Sequence, residues 1–170
     1  MGCDIHMYVE YKDKKDVGTQ YERWTPFGGH FNPGRSYDLF SLLAGVRSGD
    51  RPMYPVLGFP QDAAYAANID NHLYVHDQET HDESVTNRKT AEKWVTSGIS
   101  HWANEDHTKV THPDWHTHSW LLLEQFEDVI KTYKRKAGYK PLEYMALRDA
   151  MRTLANKGAN HVRVIFWFDN

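Results

Sequence analysis

Near the C-terminus, the seven residues Val162-Arg163-Val164-Ile165-Phe166-Trp167-Phe168 are apolar except for Arg163. A strand with one face in solvent alternates apolar and polar residues. A run without that alternation belongs to a central strand buried on both faces. Such a strand must lie inside a sheet, and the partner expected for it is the first stretch of the chain, Gly2-Cys3-Asp4-Ile5-His6-Met7-Tyr8-Val9-Glu10. Side chains alternate between two faces along a strand. Cys3, Ile5, Met7 and Val9 therefore share a packing face, and Asp4, His6, Tyr8 and Glu10 share the other. The direction of pairing is left open.

Two helices are expected to cover this sheet. Leu122, Phe126, Val129, Ile130 and Tyr133 recur at helical spacing. Glu124, Glu127 and Asp128 lie toward the start of that helix and Lys131, Lys134, Arg135 and Lys136 toward its end, as the helix dipole favours. Gly138 ends it. Pro141 then suits the first position of a second helix, with Tyr144, Leu147, Met151 and Leu154 on one face and Gly158 as its stop. The fold class is α+β: a small central sheet containing the N-terminal and C-terminal strands, packed by two C-terminal helices. At 170 residues a single domain, 1–170, is expected.

The middle of the chain is harder to read. Thr19 to Thr25 is expected to return as the second strand of a hairpin. Residues 26–35 hold three glycines and two prolines and are expected to be an irregular loop. A helix capped by Ser36 follows, facing inward through Leu39, Phe40, Leu43 and Val46. Residues 47–60 read as loop, 61–68 as a short helix, His72–His76 as a strand, 76–87 as a solvated connection and 89–96 as a helix. Residues 97–118, with His101, Trp102, His107, His112, Trp115, His116 and His118, have no clear period and read as one long functional loop.

Composition narrows the function. A single cysteine rules out an internal disulfide and Cys-rich zinc modules. Cys3 is expected in the core, where a thiol is inert. A net charge of −3 supplies no field toward nucleic acid or anionic membrane, so neither is an expected partner. No run reaches the length of a membrane span, and His6 stands where a myristoylation signal needs Ser or Thr. A cytoplasmic protein is expected.

What remains is a chain with eleven histidines. Asp4 and His6, two apart on one strand face, can aim at one metal ion. His116 and His118 form a second pair with the same spacing. Asp4, His6 and His118, with His116 or Asp169, are the expected ligands of a divalent metal, Zn²⁺ or Mn²⁺. Glu10 is the expected general base. Arg35, after a glycine-rich loop and before a helix, is expected to hold an anion. Tyr37 and Trp24 are expected to stack on a base. The competing reading is structural: a solvated strand face, a His-rich loop titrating in water, and aromatics that fill the core.

Asp4-x-His6, Gly49-Asp50, Asn71-His72 and His116-x-His118 follow the order of the calcineurin-like metallophosphoesterases. Met7 stands where that family has glycine, however, and the residues flanking the other pairs also depart from it. The opening Met-Gly-Cys-Asp-Ile-His-x-x-x-Glu, the stretch from Arg35 to Arg47, His118-Ser119-Trp120-Leu121 and the ending Val162 to Asn170 resemble a family of small uncharacterised proteins of bacteriophages and bacterial genomes. That resemblance implies a phage-type accessory protein and carries no activity with it. The leading expectation is a small metal-dependent hydrolase acting on a phosphodiester or nucleotide. The alternative is a non-catalytic protein that sequesters a nucleotide or inhibits a host defence protein.

Overall fold

The computed structural model describes residues 2–47, 51–78, 81–138 and 140–169. Gly49-Asp50 and the terminal Asn170 lie outside the described residues. The strands are β1 (Ile5–Asp13), β2 (Thr25–Phe31), β3 (His72–His76), β4 (Val85–Asn87), β5 (Lys109–Thr111), β6 (His116–Leu122) and β7 (Ala159–Phe168). The helices are α1 (Tyr37–Ala44), α2 (Tyr65–Asn71), α3 (Arg88–Thr96), α4 (Leu123–Ala137) and α5 (Leu142–Lys157). The fold is α+β, and its contacts gather into two compact units, 65–115 and the remainder of the chain.

The larger unit is built on a sheet of order β2-β1-β7-β6, with every neighbour antiparallel. The apolar run is central, paired with β1 on one side and β6 on the other. Ile5 lies opposite Phe168, Met7 opposite Phe166 and Val9 opposite Val164. Together with Cys3, these six side chains form one wall of the main core. The opposing wall comes from Leu39, Phe40 and Leu43 of α1, from Phe126, Val129, Ile130 and Tyr133 of α4, and from Tyr144, Leu147 and Met151 of α5. Alternation thus assigns the two faces of β1 correctly. The cover consists of three helices, the two C-terminal ones and α1.

Helix ends follow the sequence signals. Gly138 takes the left-handed conformation at the end of α4 (φ 74°), and its N–H bonds the Lys134 carbonyl. Ser36 is the N-cap of α1, but its hydroxyl donates to the Tyr133 hydroxyl of α4 at 3.3 Å instead of capping its own helix. That bond ties the start of α1 to the middle of α4.

The second strand differs from expectation. Residues 19–24 turn, and β2 begins only at Thr25, the end of the expected strand, and runs to Phe31 through the stretch expected to be loop. Its edge position explains how the strand tolerates this composition: Pro26 lacks a donor, and an edge strand needs its donors on one side only. Met7 pairs with Phe31 and Val9 with Phe27, so two residues of β1 span four of β2. The excess is accommodated at a bulge where Gly28 has φ 69°, a conformation that glycine adopts without strain.

Residues 51–64 form an ordered wrap, although they contain no regular element. The Tyr54 hydroxyl donates to Asp128 of α4 (2.9 Å) and the Leu57 N–H to Ser119 of β6 (3.1 Å). Phe59 then meets Trp167 and His118 edge-on. The wrap guards the β6 edge and covers part of the face away from the helices.

The smaller unit holds a sheet of order β4-β3-β5, β3 being parallel to β4 and antiparallel to β5. Leu73, Val75, Ala91 and Val110 form its core. The Asn87 side chain caps α3 by accepting from the Thr90 N–H at 2.8 Å. The expected 97–118 loop is interrupted by β5 and by the start of β6, and the expected short helix lies further along, at α2.

Phe166 is fully buried in the main core. Phe166→Ala should cost about 3–5 kcal/mol of unfolding free energy, read from the denaturant midpoint with unchanged slope.

Candidate functional site

The face of the larger sheet away from the helices carries Asp4 just before β1, His6, Tyr8 and Glu10 from β1, and Arg163, Ile165 and Trp167 from β7. Asp169 follows β7 directly. Its two ends differ in character.

At one end Glu10 and Arg163 are almost wholly buried, 1% and 2% exposed. Arg163 Nε and Nη2 both donate to Glu10 Oε2, at 3.0 and 2.9 Å, and the Ala64 N–H donates to Oε1 at 2.6 Å. Arg163 Nη1 reaches Asp62 at 2.9 Å, and Asp62 also accepts from the Trp24 indole N–H at 2.8 Å. The Trp24 ring lies 3.9 Å from the guanidinium carbon. Burial pushes the Glu10 carboxyl up, opposed by Arg163 and the Ala64 amide. Burial also acts to raise the Asp62 carboxyl, but the hydrogen bonds from Arg163 and Trp24 outweigh it and hold the group below its usual value. Glu10, the expected general base, is therefore closed within an ion pair, and Trp24, an expected stacking residue, serves as its lid.

In the middle the face is aromatic. Tyr8 and Trp167, 3% and 0% exposed, stack at 5.3 Å between centroids. His6 stacks on one side of this pair (5.8 Å from Trp167) and His118 stacks against Trp167 from β6 (5.7 Å). Trp167 thus separates His118 from His6. His116 packs against Phe168 at 6.1 Å, on the helix side. A bulge between His116 and Ser119, with Thr117 at φ 54°, divides the expected His-x-His pair between the two faces. Neither histidine joins Asp4 and His6.

The other end is more open. Asp169 Oδ1 accepts from the Asp4 backbone N–H at 2.8 Å, and Oδ2 lies 2.9 Å from His6 Nε2. His6 Nδ1 lies 3.0 Å from Nε2 of His30, which the β2 bulge brings onto this face. The His6 and His30 rings stack at 4.8 Å, and Tyr8 stacks on His30 at 5.6 Å. Burial, then the neighbouring His6, lowers the His30 pKa. Beside this chain of three, Arg35 donates through Nε and Nη2 to both oxygens of Asp4, at 2.6 and 2.9 Å. The Arg35 hydrogen bond holds the Asp4 carboxyl below its usual value. Half of the Arg35 side chain is exposed. A Cβ at Gly2 would collide with its guanidinium, so only glycine lets Arg35 lie across the chain there. Tyr37, 43% exposed, has the Arg47 guanidinium 6.0 Å from its ring.

Of the residues expected to hold a metal, His6 and Asp169 meet directly and Asp4 lies beside them, its oxygens committed to Arg35. Among the described residues no three His, Cys, Asp or Glu side chains converge as a metal centre. His30 was missed by sequence reasoning. Its signal was Gly28-Gly29, which marks a bulge when it falls within an edge strand. Within an α+β fold, the site is defined by a carboxylate, two imidazoles and an arginine at one end of the sheet. Comparison with family models, with curated proteins and with solved structures gave no match. Among the described residues no helix is long and apolar enough to cross a membrane.

Two predictions follow from the closed end. Arg163→Met strands the buried Glu10 charge and should cost about 3–5 kcal/mol. Adding Glu10→Leu should recover a large part of that loss in a double-mutant cycle. Asp62 titrates lower folded than unfolded, so its contribution is full above about pH 4 and is lost as pH falls through the folded value. Wild type should therefore exceed Asp62→Asn by about 0.5–1 kcal/mol at neutral pH, because Asp62 is partly exposed. Denaturation at a series of pH values should show the gap closing below about pH 4.

Proposed function

We propose that the protein is a small hydrolase acting on a phosphodiester or nucleotide at the open end of the sheet. The supporting observation is the unbroken chain from Asp169 Oδ2 through both nitrogens of His6 to His30 Nε2, in steps of 2.9 and 3.0 Å, beside a half-exposed arginine. Asp169 accepts the His6 Nε2 hydrogen, which fixes the tautomer and leaves the Nδ1 lone pair directed at His30. The imidazole pair takes a proton from water as its oxygen bonds to phosphorus, and returns a proton to the ester oxygen that leaves. The negative charge that develops on the phosphoryl oxygens falls to Arg35, whose Nη1 hydrogens are not used by Asp4. Asp4 is then the residue that positions Arg35, and Glu10 and Arg163 hold the frame.

A second reading, a nucleotide-binding protein without turnover, is favoured by the exposed Tyr37 ring with the Arg47 cation against it. In either reading the resemblance to phage proteins suits an accessory role.

The full chain, assayed with bis-p-nitrophenyl phosphate and a panel of linear and cyclic nucleotides with Zn²⁺ or Mn²⁺ present, should release product. His30→Ala should lower kcat by about 100-fold or more, and Arg35→Met should chiefly raise KM. No turnover by wild type across the panel would overturn the hydrolase. Nucleotides that raise the melting temperature without being consumed would establish the second reading in its place.

A further inference from the structure

We propose that His6 Nδ1 and His30 Nε2 are the two protein ligands of a divalent transition-metal ion of the zinc class, with Asp169 as the carboxylate behind His6. The proposal rests on the same cluster as the hydrolase reading and names the ion that would activate its water. It replaces the ligand set expected from sequence. Asp4 has both oxygens on Arg35, and His116 and His118 lie elsewhere on the sheet.

The geometry argues for it at three points. Asp169 Oδ2, 2.9 Å from Nε2, favours the tautomer with the hydrogen there, which leaves Nδ1 as the donor atom for an ion. A ligating imidazole characteristically gives its other N–H to a carboxylate, which fixes the ring and raises its basicity. Secondly, the two facing nitrogens are 3.0 Å apart. Ligand nitrogens of a tetrahedral ion with metal–nitrogen bonds of about 2.0–2.1 Å are about 3.3 Å apart. The ion would therefore replace the hydrogen on His30 Nε2 when the rings separate by a few tenths of an ångström, with His30 then carrying its hydrogen on Nδ1. Thirdly, Tyr8 stacks on His30, is 3% exposed, and has a hydroxyl with no hydrogen-bond partner among the described residues. A water bound to the ion would give that hydroxyl a partner.

Imidazole nitrogens without thiolate favour Zn²⁺, Ni²⁺ and Cu²⁺ over Mg²⁺ and Ca²⁺, and bind Mn²⁺ more weakly. Two protein ligands are one fewer than the three that catalytic zinc sites ordinarily carry, so water and a substrate oxygen would fill the remaining positions.

The test is calorimetric titration of Zn²⁺ into untagged full-length protein stripped with chelator, with melting temperature followed in parallel. One ion per chain and a raised melting temperature are expected. His6→Ala and His30→Gln should each abolish that site, and Asp169→Asn should weaken it by about 10–100-fold. His118→Ala should leave it intact, with circular dichroism confirming that each variant is folded. Electron paramagnetic resonance of the Cu²⁺ form should show two equatorial imidazole nitrogens, a readout independent of any activity. No Zn²⁺ binding by wild type, or unchanged binding in His30→Gln, would overturn the proposal. Hydrolysis by metal-free protein would overturn it while leaving the hydrolase reading intact. Bound Zn²⁺ at this pair without hydrolysis would support it while counting against that reading.

Discussion

The antiparallel pairing of the first and last strands underlies everything else in the larger unit. It runs from Ile5 opposite Phe168 to Asp13 opposite Ala159, and the backbone N–H of Asp169 continues it to the Asp4 carbonyl. This register puts Arg163 beside Glu10, Trp167 beside Tyr8 and Asp169 beside His6. Each of these partnerships joins residues more than 150 positions apart. Loop closure over such a separation must be offset by burial, and the two strands supply it by contributing six side chains to one wall of the core. Neither the ionic lock nor the imidazole chain exists until the two ends of the chain have met. A slip of one residue would turn His6 and Glu10 toward the helices and into the apolar core.

The same face holds two kinds of charge, and their surroundings separate them. Glu10 and Arg163 lie beneath Trp24 and the 51–64 wrap, in a low dielectric where breaking the pair costs far more than making it gains. Such a pair contributes modestly to stability but fixes the register of β1 against β7, because no neighbouring register matches the two charges. Asp4, Arg35, His6 and Asp169 lie closer to solvent, where exchange with a ligand costs less. The buried pair can therefore be strong and inert, while the accessible cluster keeps donors and lone pairs for chemistry.

Much of this was legible from the sequence, and the lapses share a cause. The apolar run in β7, the alternation of β1 and the faces of α4 and α5 each encode one uninterrupted period, and each was read correctly. β2 and β6 escaped because both are bulged edge strands. Gly28-Gly29 in one and the left-handed Thr117 in the other break the two-residue period on which strand recognition depends. The candidate site suffered most from this. His30 lay in apparent loop, and His116-x-His118 looked like a paired ligand set only if the strand were regular. Arg163 was visible as the one charge in an apolar run, but its partner is set by register, which a single sequence does not fix. Asp4, His6, Asp169 and Arg35 were all found as individual residues, whereas their pairing into Asp4–Arg35 and Asp169–His6 was not.

The bulge in β2 also explains why the open end lies where it does. In β7 two extra residues would break ladder bonds on both sides and disrupt the core wall. In β2 only one neighbour is lost, and the glycine that takes φ 69° does so at little cost. The extra length is what turns His30 over the face, and stacking on His6 and Tyr8 then recovers part of the lost pairing. A regular β2 would have left His6 without the second imidazole. The second imidazole therefore depends on an irregularity that only an edge strand tolerates, which ties the chemistry of the site to its position at the border of the sheet.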